Sequence, residues 1–242
     1  MSLPDKSRPR IGVLGGMGPL ATSYFLQRLL DEIARALHPL KDQDFPDMSV
    51  LLECSTPDRT EAILSGAPAA AKLINAALSQ LVEDGCSRVV IPCVTAHALV
   101  DPTWFSNEVV DFRPCISQVY CSRHGTKVGV IGTTGTMSTG VFEPLKDRFS
   151  LCYPSDADQQ LVMDVIYGEG GLKSGITDVR CAARLLETVM RRLEDQGCGA
   201  FIAGCSEIEM LVAMLGLEEC FLLPFAAVCI ILCRWLRERA LQ

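Results

Sequence analysis

Short apolar runs rich in β-branched residues recur along the chain at 11–14, 48–52, 88–91, 128–131 and 200–203. Between them lie longer stretches, 21–36, 69–83 and 177–194, whose apolar positions recur at helical spacing. Strands that alternate with helices predict parallel βαβ units. The apolar stretch 221–236 contains Pro224 and Arg234 and falls short of the roughly 20 residues that span a bilayer. It reads as a buried strand followed by a helix.

The pattern also repeats. Leu81-Val82-Glu83-Asp84-Gly85-Cys86 is echoed by Leu193-Glu194-Asp195-Gln196-Gly197-Cys198, and in both copies a second cysteine, Cys93 or Cys205, follows seven residues later. Each cysteine pair brackets one strand. Each half opens with a strand that ends in glycine, at 11–15 and 128–132, and the opening glycine lies 81 residues before Cys93 in one half and 76 before Cys205 in the other. Arg59 stands 47 residues after Gly12, and Lys173 stands 44 after Gly129. The fold expected is α/β, with two similar parallel-sheet domains related by a pseudo-twofold. The first, 1–115, carries Cys93 and the second, 116–220, carries Cys205, with the chain crossing back to the first at about 221–242. Open α/β sheets bind ligands outside the carboxyl ends of their strands, so Cys93 and Cys205 would face each other across the cleft.

Composition narrows the chemistry. The chain has 242 residues, 49% of them hydrophobic and 21% charged, enough apolar material for one large core or two smaller ones. A net charge of -7 and no Lys/Arg run disfavour nucleic acid or an anionic membrane, and point to a small molecule. The polar start, 1–10, lacks the apolar core of a secretory signal, which predicts a cytoplasmic protein. Several of the 12 cysteines lie inside apolar runs and read as reduced core residues, and no Cys/His group has zinc-site spacing, so no metal is expected.

Two thiols on opposite sides of a pseudo-symmetric site suit a reaction that is itself symmetric, removal of an α-proton from one face and its return to the other. A polar residue and a predicted helix follow each cysteine, through Thr95-Ala96-His97 and through Ser206-Glu207, and helix N-termini favour a thiolate or a carboxylate. Gly15-Gly16-Met17-Gly18 lacks the full dinucleotide-loop spacing and reads as a pocket wall. Gly132-Thr133-Thr134 offers N–H and hydroxyl donors, or a plain helix N-cap. His97 is a candidate proton carrier or a packing residue. His38 and His124 read as surface, and Met17, Asp58 and Tyr167 as supporting residues.

Five motifs in order carry a family resemblance: Ile11-Gly12-Val13-Leu14-Gly15-Gly16-Met17-Gly18-Pro19-Leu20-Ala21-Thr22, Pro57-Asp58-Arg59-Thr60, Ile91-Pro92-Cys93-Val94-Thr95-Ala96-His97, Tyr167-Gly168 with Leu172-Lys173 and Gly175, and Ala203-Gly204-Cys205-Ser206-Glu207-Ile208. Together, over 11 to about 211, they resemble the aspartate racemase branch of the aspartate/glutamate racemase superfamily. The resemblance implies two similar α/β domains, a homodimer, and racemisation of aspartate or glutamate without pyridoxal phosphate or other cofactor. It implies Cys93 and Cys205 as the two acid/bases, Thr95 beside Cys93, and Glu207 with Ser206 near Cys205. Arg59 and Lys173 would hold substrate carboxylate, with Thr133, Thr134 and Met17 lining the substrate site. The chain departs from the family pattern at Val94, where asparagine is usual, and at Phe225-Ala226-Ala227, where an aspartate usually follows Pro224 closely. Two alternatives stay open: another enzyme of the superfamily, of the hydantoin racemase, maleate isomerase or decarboxylase type, and a non-catalytic carboxylate-binding homologue.

Overall fold

The computed structural model describes residues 9–106, 108–123, 125–174 and 178–240; His124, Gly175 and residues 1–8, named above, lie outside them. The described strands form two parallel sheets. β1 (Arg10–Gly15), β2 (Asp47–Leu52) and β3 (Arg88–Val90) lie in the order β2-β1-β3. β4 (Lys127–Gly132), β5 (Ser150–Cys152), β6 (Ala200–Gly204) and β7 (Phe221–Leu222) lie in the order β5-β4-β6-β7. In register, Ile11 stands level with Met48 and Arg88, and Gly129 with Cys152 and Phe201. The central strands β1 and β4 are buried from their second residue onward, as unbroken apolar runs in a parallel sheet should be.

Nine helices are described: α1 (Pro19–Leu37), α2 (Arg59–Ser65), α3 (Ala69–Glu83), α4 (Phe112–Val119), α5 (Thr134–Thr139), α6 (Asp156–Tyr167), α7 (Val179–Asp195), α8 (Ser206–Leu215) and α9 (Pro224–Ala240). Helical spacing explains the long ones. α3 buries Ala70, Ile74, Ala77, Leu78 and Leu81, and α7 buries Ala182, Leu186, Val189, Met190 and Leu193, each a stripe of three- and four-residue steps. Both helices stop the same way. Gly85 and Gly197 take φ of 86° and 90°, and the following Cys86 and Cys198 N–H groups bond back to Leu81 and Leu193 carbonyls, which turns the chain into β3 and β6.

One apolar cluster joins the two sheets: it contains Ile11 and Val13 of β1, Val128 and Val130 of β4, Ala200 and Ile202 of β6, and Phe225, Val228 and Leu232 of α9. α9 packs on α1 and α4, with the Phe25 and Phe225 rings edge to face at 5.9 Å. A second cluster, around α6 to α8, contains Cys205, and a third, around α3 and β3, contains Cys93. No helix among the described residues is long and apolar enough to cross a membrane.

The sequence reading is corrected after Cys93. A helix does begin after Cys205, which stands at the N-cap of α8. After Cys93 there is only a single 3-10 turn, Thr95–Ala98. The Asn75 side chain explains why it stops: its amide donates to the Leu99 carbonyl and its oxygen accepts from the Asp101 N–H, which draws the chain away before a second turn can form.

Candidate active site

The carboxyl ends of the strands open onto a cavity of about 470 Å³, within the usual range for small-molecule sites. Residues from both halves line it. Gly16, Gly18, Asp58 and Arg59 come from the first, and Leu172, Lys173 and Glu207 from the second. Cys93 follows β3 and Cys205 follows β6, and both are buried, at 6% and 4% exposure.

Arg59 opens α2, whose N-cap Asp58 accepts the Glu61 N–H. Its Nη1 donates to the Thr56 and Pro57 carbonyls and its Nη2 to the Met17 carbonyl at 2.6 Å. The residue is 7% exposed, its Nε has no hydrogen-bond partner, and the guanidinium stands beside the Cys93 sulfur.

On the other side the Cys205 thiol donates to Glu207 Oε2 at 2.7 Å, and the Ser206 hydroxyl donates to the same oxygen at 2.9 Å. The other carboxylate oxygen pairs with Lys173 Nζ at 3.1 Å. A Cβ on Gly18 would stand 2.7 Å from Glu207 Oε1, so glycine at 18 is what lets the carboxylate reach this place. Burial would raise the Glu207 carboxyl, but the Lys173 ammonium and the two hydroxyl and thiol donors hold it below its ordinary value. Burial, and then the neighbouring Glu207 charge, push the Cys205 thiol well above the usual thiol range. Burial would lower the Lys173 ammonium, yet Glu207 and both thiols hold it up, so Lys173 stays charged and in electrostatic reach of Cys93 and Cys205 together.

Tyr167, the last residue of α6, donates to Asp58 Oδ2 at 2.9 Å and so joins the second half to the start of α2. Its ring lies under Lys173 Nζ at 5.3 Å. Burial would raise the Asp58 carboxyl, but hydrogen bonds from the Glu61 N–H and the Tyr167 hydroxyl hold it low.

The threonines form a separate knot outside the cavity lining. Thr95 Oγ1 lies 3.1 Å from Thr133 Oγ1 and 2.9 Å from Thr136 Oγ1, and Thr136 donates to the carbonyl of Gly204, just before Cys205. Thr133 is the N-cap of α5, and the Thr134 N–H meets the Met163 sulfur at 3.3 Å. The Met17 side chain is in the core, and only its carbonyl serves the site, through Arg59. Val94 is 1% exposed and belongs to the cluster that joins the sheets. His97 is packed against Phe105 and Phe112 with Nδ1 2.9 Å from the Cys93 carbonyl oxygen. Burial pushes it down to about 4, so near neutral pH the uncharged ring donates to that carbonyl and braces the Cys93 backbone. His38 is exposed.

The sequence reading does not single out Thr136 or Glu209. The first carries a local signal, a threonine three residues after the N-cap Thr133; the second carries none, because its partners lie in another helix.

No known family profile matches the chain. The glutamate racemase of Corynebacterium glutamicum is 30% identical over 145 residues, 57% of this chain, and the chain spans only half, 50%, of that enzyme's length. The broad specificity amino-acid racemase RacX of Bacillus subtilis is 26% identical over 64% of this chain and 69% of its own length. Among solved structures, Picrophilus torridus aspartate racemase superposes with a TM-score of 0.75 over 93% of this chain and 94% of that one, at 22% identity. The chain shares its parallel α/β fold with Picrophilus torridus aspartate racemase, and these matches agree with the resemblance of its motifs to the aspartate/glutamate racemase superfamily.

Proposed function

We propose that this protein is a cofactor-independent amino-acid racemase that interconverts the enantiomers of aspartate or glutamate, with Cys93 and Cys205 as a two-base pair in a cleft between two pseudo-twofold-related halves. The reading extends to a homodimer working in the cytoplasm, as the resemblance implies. The observation that carries it is the buried, unpartnered Arg59 Nε, on a guanidinium that touches the cavity and one of the two thiols.

A buried donor left unmade costs about 1–3 kcal/mol, a cost that a ligand acceptor removes. Nε lies on the edge of the guanidinium that it shares with Nη2, an edge that can grip a carboxylate with two parallel hydrogen bonds. With the carboxylate so held, Lys173 offers a second positive charge within reach of both sulfurs. One thiol takes the α-proton as the other delivers a proton to the opposite face. Thr95, Thr133 and Thr134 would have to open their present contacts to bind substrate directly. A second reading has its own support: Leu20 and Leu172 give the cavity an apolar wall, and one relative is named for broad specificity. On that reading the substrate is another small carboxylate with a less polar side chain.

Purified protein incubated in deuterium oxide with L- and D-aspartate, glutamate, alanine and methionine separates these cases. Aspartate or glutamate should exchange the α-hydrogen at least about tenfold faster than the other two, the discrimination expected when a built carboxylate partner is left empty. Equal or faster exchange of methionine selects the second reading, and no exchange of any substrate contradicts catalysis and leaves the carboxylate-binding homologue.

A further inference from the structure

The two thiols have unlike surroundings. The Cys205 sulfur lies 2.7 Å from a carboxylate oxygen, and since an ionised carboxylate only accepts, the hydrogen is on sulfur. The carboxylate cannot drift away. It is 3% exposed, its other oxygen is paired with Lys173 at 3.1 Å, Ser206 donates to it, and the missing side chain of Gly18 makes its seat. Cys93 instead adjoins the Arg59 guanidinium and lies within electrostatic reach of the Lys173 ammonium.

We infer that the site rests unsymmetrically: Glu207 is a positioning residue that keeps the proton on Cys205, which leaves Cys93, beside Arg59, as the base that begins turnover. This deepens the racemase reading and rests on it. The groups facing Cys205 are Glu207 and Ser206 on its own helix, Lys173 from the segment after α6, and, beyond Lys173, Tyr167 and Cys93. Burial and Glu207 both disfavour a Cys205 thiolate, and Lys173 opposes them only in part. Glu207 is itself held low, so the proton stays on sulfur and does not pass to the carboxylate.

The proton count closes. The substrate Cα–H bond breaks as an S–H bond forms on Cys93, and the electron pair left on carbon takes the proton of Cys205 on the opposite face. Cys205 is then a thiolate next to a carboxylate, with Lys173 between two anions. The site resets when Cys93 loses its proton to water and Cys205 regains one, or when the product enantiomer reverses the step. The enantiomer whose α-hydrogen faces Cys205 therefore meets a thiol that Glu207 keeps protonated, and its turnover waits for the costlier state.

Alkylation with iodoacetamide, read residue by residue by mass spectrometry on the intact enzyme without substrate, tests this. At pH 7.5 Cys205 is expected to react at least about tenfold more slowly than Cys93, since the thiolate is the reacting form and Glu207 keeps Cys205 protonated. The pH at which Cys205 reaches half its limiting rate does not depend on access to the cavity, and in Glu207→Gln it should fall by about one unit or more as the neighbouring charge is removed. Equal wild-type rates, or an unchanged Cys205 midpoint in a folded Glu207→Gln protein, overturn the inference. If Glu207→Gln fails to fold, the wild-type comparison decides alone. Labelling makes no use of turnover, so absence of amino-acid exchange would sink the racemase reading while this result still stood or fell separately.

Discussion

Arg59 has five N–H donors, and the protein spends three contacts on its own carbonyls, those of Thr56, Pro57 and Met17. These bonds fix the plane of the guanidinium before any ligand arrives, which is the pre-organisation that makes a two-pronged carboxylate contact effective. If the account is right, Arg59→Ala raises KM for aspartate on the order of a hundredfold and KM for alanine by less than about threefold, because only the dicarboxylate loses its partner. Steady-state kinetics on both substrates check it, and equal effects would make Arg59 a structural residue. The residue was legible in the sequence because its offset from the opening glycine is matched by that of Lys173, and both line one cavity. What the sequence could not show is the network behind it: the threonine knot through Thr136 and the seat that Gly18 makes for Glu207 depend on chain segments that meet only in the fold.

At the scale of elements, α9 shows how a departure from the family pattern is made good. No acidic residue closely follows Pro224, yet the first turn of α9 still has a carboxylate cap: Glu209 of α8 accepts the Phe225 N–H on one oxygen and the Ala226 N–H on the other, both at 2.9 Å. Helical spacing marks Glu209 only as a polar position in α8, so a cap reaching in from another helix was invisible. Glu209 is wholly buried, facing Arg28 and Tyr24 of α1, Tyr120 at the end of α4, and Cys229 of α9. Burial outweighs the two N–H bonds and pushes it up to about 7. The folded value thus lies above the unfolded one, and between the two the native state keeps a proton that the unfolded chain has released. Stability from this group must therefore fall as pH rises from the ordinary carboxyl range to about 7, and level off above it. Calorimetry should show the wild-type Tm dropping relative to Glu209→Gln across pH 5 to 7; a pH-independent difference between the two would contradict the assignment. The α3 and α7 stripes and their glycine stops were, by contrast, readable directly, since spacing and terminator both lie within one stretch of sequence.

At the scale of the whole molecule, the sequence announces two parallel βαβ units and the structure has two parallel sheets, each with its opening strand flanked by the next two strands. Less visible was that β1, β4, β6 and α9 share one apolar cluster, because periodicity reports which face is buried and not what buries it. The helix expected after Cys93 failed for a similar reason: the stop comes from Asn75, distant in sequence. That shared core ties the two sheets together. The most direct test of the account is the stereochemistry of exchange when one thiol is removed. In deuterium oxide, Cys93→Ala and Cys205→Ala should each lose racemisation in both directions, and each should exchange the α-hydrogen of one enantiomer only, with opposite preferences and with Cys205→Ala the faster. A single-cysteine variant that racemises near the wild-type rate, or two variants that exchange the same enantiomer, would contradict a base on each face.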